Sequence, residues 1–238
     1  MTVTIERRYC GPPESGNGGY VAGLLAGRVQ PTSTRPAVTV RLSSPPPLER
    51  PLTVGGYGAL VLLQDRTTTI ATACPAAALD GTFPEAVDLE TARAAQAGFP
   101  GLVSHPFPSC FVCGTDRPAP DGLGIYPGPL SDGTGRFAAS WTPTESSLPH
   151  LWGALDCPGG WSSGLDERPM VLGTMTLQTL AVLPPVGAPT VVVAAPRGTQ
   201  GRKFHCASAL YAVDGRLLAR AEATWLAIDP TTVRPRDG

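Results

Sequence analysis

Residues 16–29, Gly16-Asn17-Gly18-Gly19-Tyr20-Val21-Ala22-Gly23-Leu24-Leu25-Ala26-Gly27-Arg28-Val29, set the tightest constraint on how this chain can fold. Val21, Leu24, Leu25 and Val29 fall at i, i+3, i+4 and i+8, the spacing of an apolar stripe on a helix. Gly19, Gly23 and Gly27 fall four apart, so one face carries almost no side chain. Each glycine weakens an isolated helix by about 1 kcal/mol. The expected compensation is close approach of another backbone, as when a curved sheet wraps the helix.

A second helix is expected in Ser146–Trp161, where Leu148, Leu151, Trp152 and Leu155 recur at i, i+3, i+4 and i+7. Ser146 or Ser147 is a fitting N-cap, and Pro149 is tolerated in the first turn. Pro158-Gly159-Gly160 reads as a break. Asp156 follows one step beyond the stripe, beside Trp and Leu. Burying a carboxylate is costly unless it is paired or used. It either bonds backbone near the helix end or does chemistry, and the residues alone leave both open.

The remaining segments read as strands. Residues 2–9 alternate weakly, Ala37–Leu42 alternates clearly, and Leu52-Thr53-Val54 begins another strand. Gly58–Ala73 reads as a hairpin turning near Asp65-Arg66. Residues 75–109 form a connector with a short helix near Leu89–Gln96. Strands are then expected at Gly135–Trp141, Val171–Leu183 and Thr190–Ala195. A final hairpin runs from Phe204 to Ile228 and turns at Asp214-Gly215-Arg216. The order strand, helix, then three or four antiparallel strands thus occurs twice, which suggests an internal duplication. The expected boundaries are 1–83 and 110–238 for the two halves, with 84–109 connecting them.

A formal charge of −1 over 238 residues argues against nucleic acid as a partner, since phosphate binding wants a basic face. No apolar run reaches the roughly 18 residues of a membrane span. Met1–Arg8 lacks the basic-then-apolar layout of an export signal, so a cytoplasmic location is expected and the six cysteines should stay reduced. Cys110-x-x-Cys113 could be half of a zinc site or a redox pair, with Cys157, Cys206, His105, His150 and His205 available to complete a tetrahedron only through folding. Small thiols packing a turn are the plainer reading, so no metal and no cofactor are expected.

One helix wrapped by an antiparallel sheet, duplicated in one chain, resembles the double hotdog fold of acyl-CoA thioesterase-like proteins. Cys110-Phe111-Val112-Cys113-Gly114 followed by Gly122-Leu123-Gly124 resembles the opening of PaaI-like hotdog thioesterases. Asn17-Gly18-Gly19 resembles the point where hotdog helices begin, and Ala154-Leu155-Asp156 the helix end that carries their catalytic carboxylate. The resemblance implies an α+β tandem hotdog, two antiparallel sheets each wrapped around a central helix. It also implies a thioesterase acting on an acyl-CoA or acyl-carrier thioester, and a possible homodimer. Asn17, Gly18 and Gly19 would then supply backbone N–H groups to the developing oxyanion, with Asp156 as base or nucleophile.

The reciprocal site looks degenerate, with Ala26-Gly27 where an acid would fall and Pro149-His150 where glycines would, so one site per chain is expected. Arg202 and Lys203, the latter the only lysine in the chain, could hold coenzyme A phosphates with Arg197, or simply be solvated. His150 could polarise a carbonyl or a water, or simply be exposed. Thr176, with Thr174 and Gln178, could orient a water. The alternatives to hydrolysis are a non-catalytic acyl-thioester-binding hotdog protein, a dithiol or zinc protein, and an enoyl-thioester hydratase. For the last, no Asp-x-x-x-x-His array is present.

Overall fold

The computed structural model describes residues 1–117 and 121–229. Among the described residues there are eleven strands and three α-helices. They are β1 (Thr2–Thr4), α1 (Gly18–Ala26), β2 (Ala37–Leu42), β3 (Pro51–Tyr57), β4 (Leu60–Asp65), β5 (Thr68–Ala76) and α2 (Leu89–Gln96). The second part holds β6 (Gly128–Pro129), β7 (Phe137–Trp141), α3 (Leu148–Ser162), β8 (Met170–Thr179), β9 (Thr190–Gln200), β10 (Lys203–Ala212) and β11 (Leu217–Ala227).

All strands join one antiparallel sheet in the order β1-β3-β4-β5-β2-β8-β11-β10-β9-β7-β6. The run β1-β3-β4-β5-β2 is matched in reverse by β8-β11-β10-β9-β7, so strand, helix and four strands occur twice. The two half-sheets meet edge to edge at β2 and β8, with Thr39 opposite Thr176. Joining them removes two exposed edges that would otherwise invite foreign strands. The hairpins turn where β-turn chemistry allows. Arg66 takes a positive φ between β4 and β5, and Gly215 one between β10 and β11.

Four expectations need correcting. The first strand stops at Thr4, and Arg7–Tyr9 forms a 3-10 turn that lets Tyr9 stack on Tyr20, with ring centres 3.9 Å apart. The strand after residue 170 ends at Thr179 instead of Leu183. β9 continues past Ala195 to Gln200, making Arg197 part of a hairpin; a bulge opposite His205 and Cys206 absorbs it.

Helix α3 also does not break at Pro158 but runs on to Ser162. It is buried from His150 to Ser162, and packing outweighs the local preference against proline. Its two glycines serve that packing. A Cβ on Gly159 would lie 2.5 Å from Cys206 Sγ, and one on Gly160 would lie 2.9 Å from the Trp225 ring.

Helix α1 packs on β2, β5 and β8, and α3 packs on strands β7 to β11. The closest neighbour of the glycine face, however, is α3 rather than the sheet. A Cβ on Gly19 would sit 2.8 Å from the Trp152 carbonyl oxygen, and one on Gly23 would sit 2.5 Å from Pro149 Cα. The two helices therefore run antiparallel with backbones nearly touching. Gly27 has nothing closer than 3.6 Å, so it is not part of this contact.

Helix α2 covers the opposite face of the sheet. Along β9, Val192 belongs to the main core, whereas Val191 and Val193 join Ala92 of α2 in a second cluster. Among the described residues, no helix is long and apolar enough to cross a membrane.

Candidate active site

The close approach of α1 and α3 brings Asp156 to the start of α1. Asp156 is 1% exposed, and its Oδ2 accepts a hydrogen bond from the Gly19 N–H at 2.8 Å. A helix N-terminus carries partial positive charge, so a carboxylate is favoured there. Oδ1 has no hydrogen-bond partner. Burial pushes the Asp156 carboxyl up from 3.8 to about 8; the Gly19 bond lowers it, and the Cys110 sulfur adds a smaller push upward. The group sits in the middle of α3 rather than at a helix end, as the resemblance suggested.

Asp156 lines a cavity of about 160 Å³. One wall comes from the segment that opens α1, residues Gly16 to Gly18, and another from Ser43 to Pro46 after β2. The floor is apolar, with Met170, Leu172 and Trp225 from β8 and β11. Cys110, Cys113, Cys157 and His105 complete the lining. A carboxyl oxygen without a partner, beside a helix N-terminus in a mostly apolar cavity, has the makings of acid–base or nucleophilic chemistry.

The three amides expected at the oxyanion site reduce to one. The Asn17 N–H donates to the Tyr9 carbonyl at 2.8 Å, and the Gly19 N–H is taken by Asp156. Gly18, at the first position of α1, where an N–H has no partner within the helix, lines the cavity. Its glycine identity is set by packing, since a Cβ would lie 2.8 Å from Leu172 Cβ. The Asn17 side chain caps α1 by accepting from the Tyr20 N–H at 2.9 Å, while its Nδ2 points to the sulfurs of Cys110 and Cys157 at 3.6 and 3.8 Å.

The other candidates lie apart from the cavity wall. The Thr176 hydroxyl is 2.7 Å from that of Thr39, so it is spent on the seam between the half-sheets rather than on a water. His150 is buried, not exposed. Its Nδ1 is 2.7 Å from the Ser147 hydroxyl, and its ring packs edge-on against Tyr20 and Phe111. Ser147 is the N-cap of α3, but its hydroxyl bonds His150 instead of a helix amide. Arg202 and Lys203 are exposed at the β9–β10 turn, and Lys203 pairs in the ladder with Leu226, which does line the cavity. Arg197 instead lies over the Phe83 ring, 5.7 Å from its centre.

Two features escaped the sequence reading. His105 was weighed only as a metal ligand, yet it shares the cavity with Asp156. Its ring is fully engaged, with Nδ1 accepting from the Phe107 N–H at 3.0 Å and Nε2 donating to the Cys113 carbonyl at 3.1 Å. Burial lowers its pKa, in keeping with this neutral tautomer. The second feature is the convergence of Cys110, Cys113 and Cys157, all buried, on one point. Only Cys110-x-x-Cys113 was visible as a spacing.

No family profile and no curated protein matches the sequence. Solved structures resemble this one, and the likeness shows a double hotdog fold. A hot dog fold protein of unknown function from Alicyclobacillus acidocaldarius aligns over 96% of this chain and 93% of its own, at 14% identity and a TM-score of 0.63. A protein described as a thioesterase II from Thermobifida fusca aligns over 96% and 92%, at 15% identity and a TM-score of 0.60. An acyl-CoA thioesterase II from Mycobacterium marinum aligns over 97% and 93%, at 11% identity and a TM-score of 0.55. At such identities the likeness is one of fold.

Proposed function

We propose that this protein is a thioesterase that hydrolyses an acyl-CoA or acyl-carrier thioester in the cavity between α1 and α3. The observation that carries the reading is the unpartnered Oδ1 of Asp156, buried in that cavity while Oδ2 is anchored on Gly19. The anchored oxygen fixes the carboxylate's orientation; the free one takes a proton from water or attacks the carbonyl carbon directly. Gly18 N–H is the donor for the developing oxyanion. The apolar floor of Met170, Leu172 and Trp225 receives the acyl group.

Arg202 and Lys203, beside the cavity-lining Leu226, meet the phosphates of the carrier. Domain limits of 1–83 and 110–238, one working site per chain, a cytoplasmic location and pairing of two chains belong to the same proposal. A hydratase would need a histidine free to exchange a proton with substrate, and both nitrogens of His105 are committed to backbone. Release of free thiol from a panel of acyl-CoA thioesters tests the reading. Hydrolysis should disappear in Asp156→Asn. Binding without hydrolysis in the wild type would instead identify a non-catalytic acyl-thioester-binding protein.

A further inference from the structure

The hydrolysis proposed above makes no use of the three thiols beside Asp156. Their sulfurs all lie within 4.8 Å of one another, and Cys110 Sγ to Cys157 Sγ is 3.8 Å. A tetrahedral ion with Zn–S bonds of about 2.3 Å spaces its sulfurs by roughly 3.8 Å, so the trio is close to the geometry of such a site without any backbone movement.

The Gly114 N–H closes the turn that carries the first two cysteines on the Cys110 carbonyl at 2.8 Å, and a Cβ at Gly114 would lie 2.4 Å from that oxygen, which explains the glycine. Asn17 Nδ2 reaches Cys110 Sγ from α1 at 3.6 Å. A thiol is a weak acceptor and gains little from such a donor, whereas a thiolate is favoured by it. Cys157 arrives from α3, held by the glycine-faced contact with α1. All three residues line the cavity, which gives an ion a path in.

We infer that Cys110, Cys113 and Cys157 bind a single thiophilic d10 metal ion, Zn²⁺ foremost, through three thiolates, with a water from the cavity as fourth ligand. Soft sulfur donors select such ions over Mg²⁺ or Ca²⁺. Binding displaces three thiol protons to solvent and leaves the four-ligand unit with one net negative charge, which the α1 N-terminus and Asn17 Nδ2 face. The site stands on its own geometry whether or not Asp156 hydrolyses thioesters.

The test uses the reduced full-length protein, stripped of metal and titrated with Zn²⁺, Cd²⁺ or Co²⁺ against a competing chelator. A single ion per chain should bind. Cd²⁺ should give the ultraviolet thiolate charge-transfer band with the intensity of three sulfurs, Co²⁺ should give tetrahedral d–d bands, and protons should be released on Zn²⁺ addition. Cys113→Ser should weaken binding by at least about 10-fold, the scale on which metal sites respond to damage. Cys74→Ser, away from the cluster, should leave it unchanged. A folded wild-type protein that takes up no ion and shows no charge-transfer band would overturn the inference, as would equal loss in Cys74→Ser. Because wild-type stoichiometry and band intensity decide the matter alone, the test survives if Cys113→Ser fails to fold.

Discussion

Replacing Asp156 with asparagine keeps the volume of the side chain, removes its acidity and separates a carboxyl kept for chemistry from one kept for structure. The asparagine oxygen can still accept from Gly19, which donates to Asp156 Oδ2 at 2.8 Å. With its pKa pushed up to about 8 the carboxyl is mostly protonated at neutral pH, so little charge assistance is lost. The asparagine Nδ2 then takes the place of the unpartnered Oδ1, so one buried polar group lacks a partner in either chain and its cost of about 1–3 kcal/mol largely cancels. The net change should lie within about 1 kcal/mol of zero.

For a chain of this size each kcal/mol moves Tm by about 2–4 °C, so Asp156→Asn should melt within about 4 °C of wild type. Thioester hydrolysis should fall by about 10²–10⁴-fold, the usual loss of a general base. Calorimetry and a thiol-release assay on the same preparation give both numbers. A variant that hydrolyses within a few-fold of wild type would refute the catalytic role. A variant that melts several degrees lower would show that Asp156 is a tie between helices.

Three further outcomes follow from the geometry. Gly19→Ala places a Cβ 2.5 Å from Asp156 Cβ and should destabilise by about 1–3 kcal/mol or more. Gly27→Ala meets only ordinary contact at 3.6 Å with a helical φ of −63°, and should be neutral or gain up to about 1 kcal/mol; thermal melts compare the two. Burial lowers the His150 pKa below its value of 6.5 in the unfolded chain, with Arg8 adding to the shift and Glu145 opposing it. Below 6.5 the unfolded state therefore binds more protons, so stability is full above that pH and falls as pH drops toward the folded-state value. Urea titrations from pH 7.5 to pH 5 should show this loss, reduced in His150→Phe. Arg202→Ala with Lys203→Ala should raise KM for a coenzyme A thioester several-fold without changing kcat, and leave a phosphate-free pantetheine thioester unaffected.

The elements legible in the sequence are those whose signal is local. Ala37–Leu42 falls where alternation places it and Leu89–Gln96 where a short helix is expected; the structure adds that Asp88 caps the latter by accepting from the Thr91 N–H at 2.7 Å. Periodicity tells which face of an element is apolar but not what that face meets. Thus the glycine face of α1 was legible as a close contact, while its partner, the backbone of α3, was not. Thr176 and His150 lost their expected roles to neighbours far along the chain, Thr39 and Tyr20. The thiol cluster depends on contacts spanning 47, 93 and 140 positions, which no spacing within one segment encodes.

The same close contact explains why the two halves, alike in topology, are unlike in chemistry. Gly18 and Gly19 leave the start of α1 bare; Asp156 of α3 enters the room at Gly19, and Leu172 fills that at Gly18. At the other end of the pair the exchange runs the opposite way. Pro149, in the first turn of α3, presses on Gly23 and has no N–H to offer, and His150 is packed against Tyr20 and Phe111. Helix α1 carries no acid to place there. An amide-bearing helix start facing an acid can therefore form once in this helix pair, and the side chains that fill the second position also hold α1 and α3 close enough for the first.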